Sequence, residues 1–358
     1  MLEHRFAKAT AAATFALLLV GGLVHATGSS LACPDWPTCY GTLAPPMTGG
    51  IFFEHSHRLL AATVGVLTMI LAVLLGRAEG ERGLARFGWL AAALVVTGVG
   101  MGLRSRAVGG VGVALILAAL ATAPGKIADR RLKWLGLAAV LLVMFQGLLG
   151  GLTVLYKLPL FVSTAHLATS MAFFATVVYI ALRTAPSRPA ALPPETRAAL
   201  GVATLATYAQ LLVGAFVRHT GSGLACNTAA LTCNGSVWPP FGVDGGGPAQ
   251  LHMAHRALGL VVAALVAFAA LRVARRSTGT PRRLALAAPA LVVVQILLGV
   301  ITVKTFIGVV PVVAHLGVGA LLFGDLWLLF LLATPAPALV TTPASPLGAA
   351  APPRWAAE

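Results

Sequence analysis

The sequence predicts an all-α polytopic membrane protein: two pseudo-symmetric four-helix bundles in parallel tandem repeat, plus an inserted transmembrane hairpin, about ten spans in all. Three observations predict it. Of 358 residues, 58% are hydrophobic and only 10% charged, with a mean hydropathy of +0.90, whereas soluble domains carry about 25% charged residues. Apolar runs long enough to cross a ~30 Å hydrocarbon core recur along the whole chain. Four sequence blocks from the first half return, in the same order, in the second.

Taken in order, the apolar runs place spans at 9–26, 54–76, 87–103, 107–123, 135–154, 160–182, 198–217, 252–271, 284–303 and 311–333. Arg5 and Lys8 before the first run resemble a signal peptide. No small-x-small cleavage site follows cleanly, however, and the run leads into a block repeated later, so it is read as a retained span. With the N-terminus cytoplasmic, all but seven of the 25 Lys and Arg fall in inner segments. The seven are Arg58, Arg104, Arg106, Lys157, Arg218, Arg256 and Lys304. This is the positive-inside asymmetry. It accounts for the net charge of +15 by topology and argues against a nucleic-acid partner.

The repeat is read from TGSSLAC at 27–33 and TGSGLAC at 220–226, and from His57-Arg58 and His255-Arg256 at the start of the following span. Gln146 leads through Thr153-Val154 to His166, and Gln295 leads at the same spacing through Thr302-Val303 to His315. His57 and His166 are 109 residues apart but His255 and His315 only 60, which locates an insertion near 77–125. An inserted hairpin preserves the topology; a re-entrant or interfacial segment is the alternative. The division that follows is 1–190 for the first bundle with its insertion, 191–335 for the second, and 336–358 for a Pro/Ala-rich cytoplasmic tail.

Four histidines, His57, His166, His255 and His315, occupy matched positions in the first two turns of spans that start outside. Ionisable groups in a membrane mark function by default. Paired imidazoles on facing helices suit the two axial positions of a haem iron, whereas zinc or copper would need further matched ligands that are absent. Residues 54 and 57 share a helix face; 55 and 57 are about 200° apart. Glu54 therefore stands over the same cavity as His57, and His55, matched by Met253, is read as a polar residue at the helix mouth. Glu54 has His252 as its counterpart, so the two cavities differ chemically. Arg58 and Arg256 can meet propionates or snorkel at the interface. All four cysteines, Cys33, Cys39, Cys226 and Cys233, lie in outer loops, where an oxidising compartment permits a disulfide in each; a structural clip and a redox-active pair both remain open. Asp325, deep in the last span with Thr176 as counterpart, admits a buried hydrogen bond or a proton route.

TGSSLACPDWPTCYG, EHSHR and QGLLGGLTV with its AHL, together with TGSGLAC, HMAHR and QILLGVITV, resemble the haem A synthase family of cytochrome oxidase assembly. The resemblance implies a resident haem b held by His255 and His315, and substrate haem O framed by His57 and His166. It makes Glu54 the functionally important acid, pairs Cys33 with Cys39 and Cys226 with Cys233, and adds Arg218 to the candidate propionate contacts. The implied reaction converts a haem methyl group to formyl. A haem O synthase, an electron-transfer partner and the bilayer of the cell membrane are the implied surroundings, with both termini cytoplasmic and the cysteine loops outside. The insertion is then available to a partner or to a homo-oligomer. His25, where the second half has Arg218, departs from the pattern. Two rivals are a di-haem b-type electron carrier, which gives Glu54 no reason to break the symmetry, and a quinone-linked disulfide-forming membrane protein, which does not need four matched histidines.

Overall fold

The computed structural model describes residues 1–76, 96, 111, 112, 115, 130–187, 191–229, 231–240 and 246–334. Eight of its helices are long and apolar enough to cross a membrane: α1 (Leu2–Ala26), α2 (Gly49–Gly76), α3 (Arg130–Leu155), α4 (Leu160–Arg183), α5 (Arg197–His219), α6 (Gly246–Ala274), α7 (Gly279–Lys304) and α8 (Val309–Leu332). At 1.5 Å per residue each exceeds the ~30 Å hydrocarbon thickness. Among the described residues there are no strands, only the isolated bridges Cys39–Thr42 and Cys233–Ser236. The predicted insertion at 77–125 and the tail at 336–358 lie outside the described residues, apart from a few isolated positions.

The helices match the eight apolar runs that fall on described residues, but α1, α2, α3, α6 and α7 begin five to seven residues before those runs, α2 at 49 and α6 at 246. Glu54 is thus in the second turn of α2 and not at its start. Hydropathy marks where lipid begins, whereas the helix continues outward on its own backbone hydrogen bonds.

α1 to α4 pack in a ring, α1 on α2, α2 on α3, α3 on α4 and α4 on α1; α5 to α8 pack likewise. The first ring closes on Val64, Leu71, Phe173, Val177 and Ile180, the second on Leu200, Val266, Val273, Leu326 and Leu329. The rings meet through α1, α4, α5 and α8. There Leu18, Met171, Phe174, Ala320 and Phe323 form a shared cluster. A Cβ at Gly22 would come within 2.8 Å of Leu316, and one at Gly317 within 2.6 Å of Leu19. Small residues let helices approach closely where lipid offers no hydrophobic drive. Large apolar side chains such as Phe161, Leu205 and Val310 point outward, as a lipid-facing surface allows.

Both cysteine loops and the two short turns α3–α4 and α7–α8 lie at one end of the molecule. The opposite end is tied by Arg276 to Glu195 at 3.0 Å, by the Leu192 amide to the Leu332 carbonyl at 2.9 Å, and by His4 Nδ1 to the Ala181 carbonyl at 2.9 Å. The short turns repeat closely. Lys157-Leu158 and Phe306-Ile307 all have positive φ, and the Leu158 and Ile307 amides donate back to Thr153 and Thr302 at 2.7 and 2.8 Å.

Candidate haem sites

The four predicted histidines are placed alike. Each ring is enclosed by neighbouring helices yet retains accessible surface, as the wall of an internal cleft would. His57 on α2 lies within electrostatic reach of His166 on α4, and His255 on α6 within reach of His315 on α8. Each ring also rests edge-on against a glycine of the preceding helix. A Cβ at Gly21, Gly150, Gly214 or Gly299 would stand 3.0, 3.2, 3.1 or 3.3 Å from Cε1 of His57, His166, His255 or His315. Any larger residue there would push the imidazole out of place.

At three of the four sites a glutamine one turn before the glycine contacts the histidine. Gln146 Nε2 is 3.0 Å from His166 Nδ1 and donates to the His166 carbonyl at 2.7 Å. Gln210 Nε2 is 3.1 Å from His255 Nδ1 and donates to its carbonyl at 2.9 Å. On α7, Gln295 Nε2 lies 3.3 Å from His315 Nε2, while His315 Nδ1 is 3.0 Å from the Gln295 carbonyl. Sequence reasoning took Gln146 and Gln295 only as repeat markers and missed Gln210 and the four glycines. Their signal is the pattern Gln-x-x-x-Gly on three helices, legible by aligning LLLVG at 17–21 with QLLVG at 210–214.

Glu54 is buried with both carboxylate oxygens occupied. Oε2 accepts from the Cys33 amide at 2.8 Å and Oε1 from Arg58 Nη2 at 2.5 Å. Arg58 also donates to the carbonyls of Cys33 (3.1 Å), Asp35 (2.7 Å) and Thr38 (2.6 Å). With these bonds it clamps the first cysteine loop onto Glu54. In the other half His252 is buried in the place of Glu54, and Arg256 Nη1 reaches the Thr232 carbonyl at 3.3 Å and Met253 Sδ at 3.7 Å.

Cys33 is bonded to Cys39, and Cys226 to Cys233; all four are buried. Contrary to its expected place at the helix mouth, His55 is buried too, 5% exposed, with a ring nitrogen within 4.8 Å of the Cys33 and Cys39 sulfurs. The loop folds down over the helix start, so a residue off the His57 face is still covered. Trp36 lies flat on Gly151 of α3, where a Cβ would be 2.8 Å from the indole. Burial works against the Asp35 carboxylate, but hydrogen bonds from the Thr38 hydroxyl and the Gly41 and Tyr40 amides outweigh it and hold its pKa below the usual value.

At the boundary of the two rings, His25 Nε2 is 3.3 Å from His219 Nδ1, and Arg218 Nη2 is 3.4 Å from the Gly22 carbonyl. Among the described residues neither oxygen of Asp325 has a hydrogen-bond partner.

Eight membrane-length helices, with two pairs of matched histidines between them and two disulfide-closed loops at one end, define a multi-pass membrane protein. The chain belongs to the cytochrome oxidase assembly protein family, whose model matches residues 4–51 and 103–327. The unmatched stretch, 52–102, includes Glu54 and His57, whose case rests on the internal repeat and the geometry above. Among its relatives, the "Heme A synthase" of Geobacillus kaustophilus (strain HTA426) is 27% identical over 92% of this chain and 90% of its own length. Those of Symbiobacterium thermophilum, 27% identical over 84% and 85%, and of Bacillus pumilus (strain SAFR-032), 28% identical over 70% and 68%, carry the same name.

Proposed function

We propose that this protein is a haem A synthase, a membrane enzyme that oxidises haem O to haem A by converting a methyl group to formyl. The observation that carries the reading is an asymmetry within a repeat. Two matched pairs of enclosed histidines are present, but among the described residues only the pair of His57 and His166 has a buried carboxylate, Glu54, one turn from a ligand on the same helix face.

The glycine cradles and the imidazole donor set fit haem: His255 and His315 would hold resident haem b, and His57 and His166 would frame substrate haem O. Bound there, haem supplies the redox chemistry of the reaction. The chain's residues orient and exclude water. Glu54, held by the Cys33 amide and Arg58, lies where a carboxylate can accept a proton or stabilise positive charge developing beside the reacting carbon. Arg58, Arg218 and Arg256 are the propionate candidates, and Arg58 also holds Glu54 and the loop. The two rings are then pseudo-symmetric bundles, 1–190 for substrate and 191–335 for cofactor, in the cell membrane with the cysteine loops outside and the termini in the cytoplasm. The ten-span count, with a hairpin at 77–125, belongs to this reading. So do a haem O synthase that supplies the substrate, an electron-transfer partner and a homo-oligomer.

Co-expression with a haem O synthase, followed by haem extraction and mass analysis, tests the proposal. Haem A is expected with the parent chain. Haem O alone would overturn it.

A further inference from the structure

We infer that His57 is the exchangeable axial ligand of the substrate haem, and that Leu17 makes it so by standing where the other three histidines are held by a glutamine. The inference rests on the ligand assignment proposed above and deepens it.

The four histidine sites share one construction: a helix offers residue n towards the imidazole and glycine n+4 beneath it. Three are Gln146/Gly150, Gln210/Gly214 and Gln295/Gly299; the fourth is Leu17/Gly21. In the first two, Nδ1 of the histidine lies 3.0 and 3.1 Å from the side-chain Nε2 of the glutamine; in the third, His315 Nδ1 lies 3.0 Å from the backbone carbonyl of Gln295, whose side-chain Nε2 is 3.3 Å from His315 Nε2. In the fourth, Leu17 packs into the apolar cluster of its ring, and His57 Nδ1 is buried with no hydrogen-bond partner among the described residues.

The chemistry of that difference is direct. Once Nε2 binds iron, Nδ1 carries the proton; the Gln295 backbone carbonyl can accept it, and Gln146 or Gln210 can accept it when the side-chain amide turns its oxygen towards the ring. Such a bond fixes the ring and raises its basicity, and losing it typically costs 10–100-fold in metal affinity. It also leaves a buried donor unsatisfied. A resident cofactor needs two held ligands, and both second-half histidines are held. A substrate must enter and leave, which requires one ligand that lets go. His57 shares a helix face with Glu54, so the less firmly held ligand would be the one beside the carboxylate.

The test uses full-length protein carrying resident haem and loaded with haem O, and follows haem transfer to excess apomyoglobin. In Leu17→Gln, release of haem O is expected to slow by about 10-fold or more. Leu17→Met, matched in size but without a carbonyl, should leave it unchanged. Conversely, Gln210→Leu should speed loss of the resident haem. Equal haem O release from parent and Leu17→Gln, or equal slowing in Leu17→Met, would overturn the inference while leaving the ligand assignment intact. Should Leu17→Gln fail to fold, Gln210→Leu decides alone: unchanged loss of resident haem overturns the inference. An unaltered haem O spectrum in His57→Ala would instead overturn the ligand assignment, and the inference with it.

Discussion

Glu54 and Arg58 form one unit at the scale of single residues. The buried carboxylate is compensated by a guanidinium one turn away and by a backbone amide from the loop, the arrangement a buried charge requires. Glu54→Gln keeps the shape and part of the hydrogen bonding but removes the charge. Haem A yield, read by extraction and mass analysis, should fall by at least about 10²-fold, the usual worth of a general base. Resident haem should be retained, because it is assigned to the other ring. Near-normal yield would remove the role of the carboxylate. Asp35 sets a pH dependence. Its folded pKa lies below the unfolded value, so the stabilisation it supplies is complete above about pH 4 and is lost as pH falls through the depressed value. Parent protein should show greater protease sensitivity of loop 27–48 on acidification below that point; Asp35→Asn should be sensitive at neutral pH and lose the transition.

Among the helices and loops, the glycine beneath each histidine is the vulnerable point. Gly214→Ala places a methyl 3.1 Å from the His255 ring edge, so the imidazole must tilt off axis. The purified variant should lose low-spin haem b absorbance. Gly65→Ala, at a helical position with open space, should keep it and gain roughly 0.5–1 kcal/mol of stability from helix propensity. Equal haem content in the two would discount the cradle. The disulfide loops are elements of the same kind. Removing Cys226 and Cys233 together should cost roughly 2–4 kcal/mol, seen as a lower melting temperature and less bound haem. Full haem and stability with no turnover would point to redox chemistry instead.

Orientation belongs to the molecule as a whole. The end tied by Arg276–Glu195 carries the basic loops and should face the cytoplasm, with the cysteine loops outside. Single cysteines at Ser187 and Ser277 should resist a membrane-impermeant maleimide in intact cells, whereas one at Leu231, 85% exposed in the second cysteine loop, should react. The reverse pattern would invert the topology.

Hydropathy and repetition are properties of the linear chain, so the eight described spans and the matching of His57 with His255 and His166 with His315 are legible in the residues alone. Contacts that depend on how neighbouring helices are offset are not. Gln210 meets His255 across 45 residues, and no local signal states which turn of α5 faces which turn of α6. The same holds for the Arg58 clamp and for His55 against the first disulfide, which arise because a loop folds back over its own helix. Composition and periodicity determine which segments enter the membrane, since transfer to lipid is decided segment by segment. The partners of Glu54, Arg58 and His255 were decided only when the packed helices and the loop brought distant polar atoms together where water could not satisfy them.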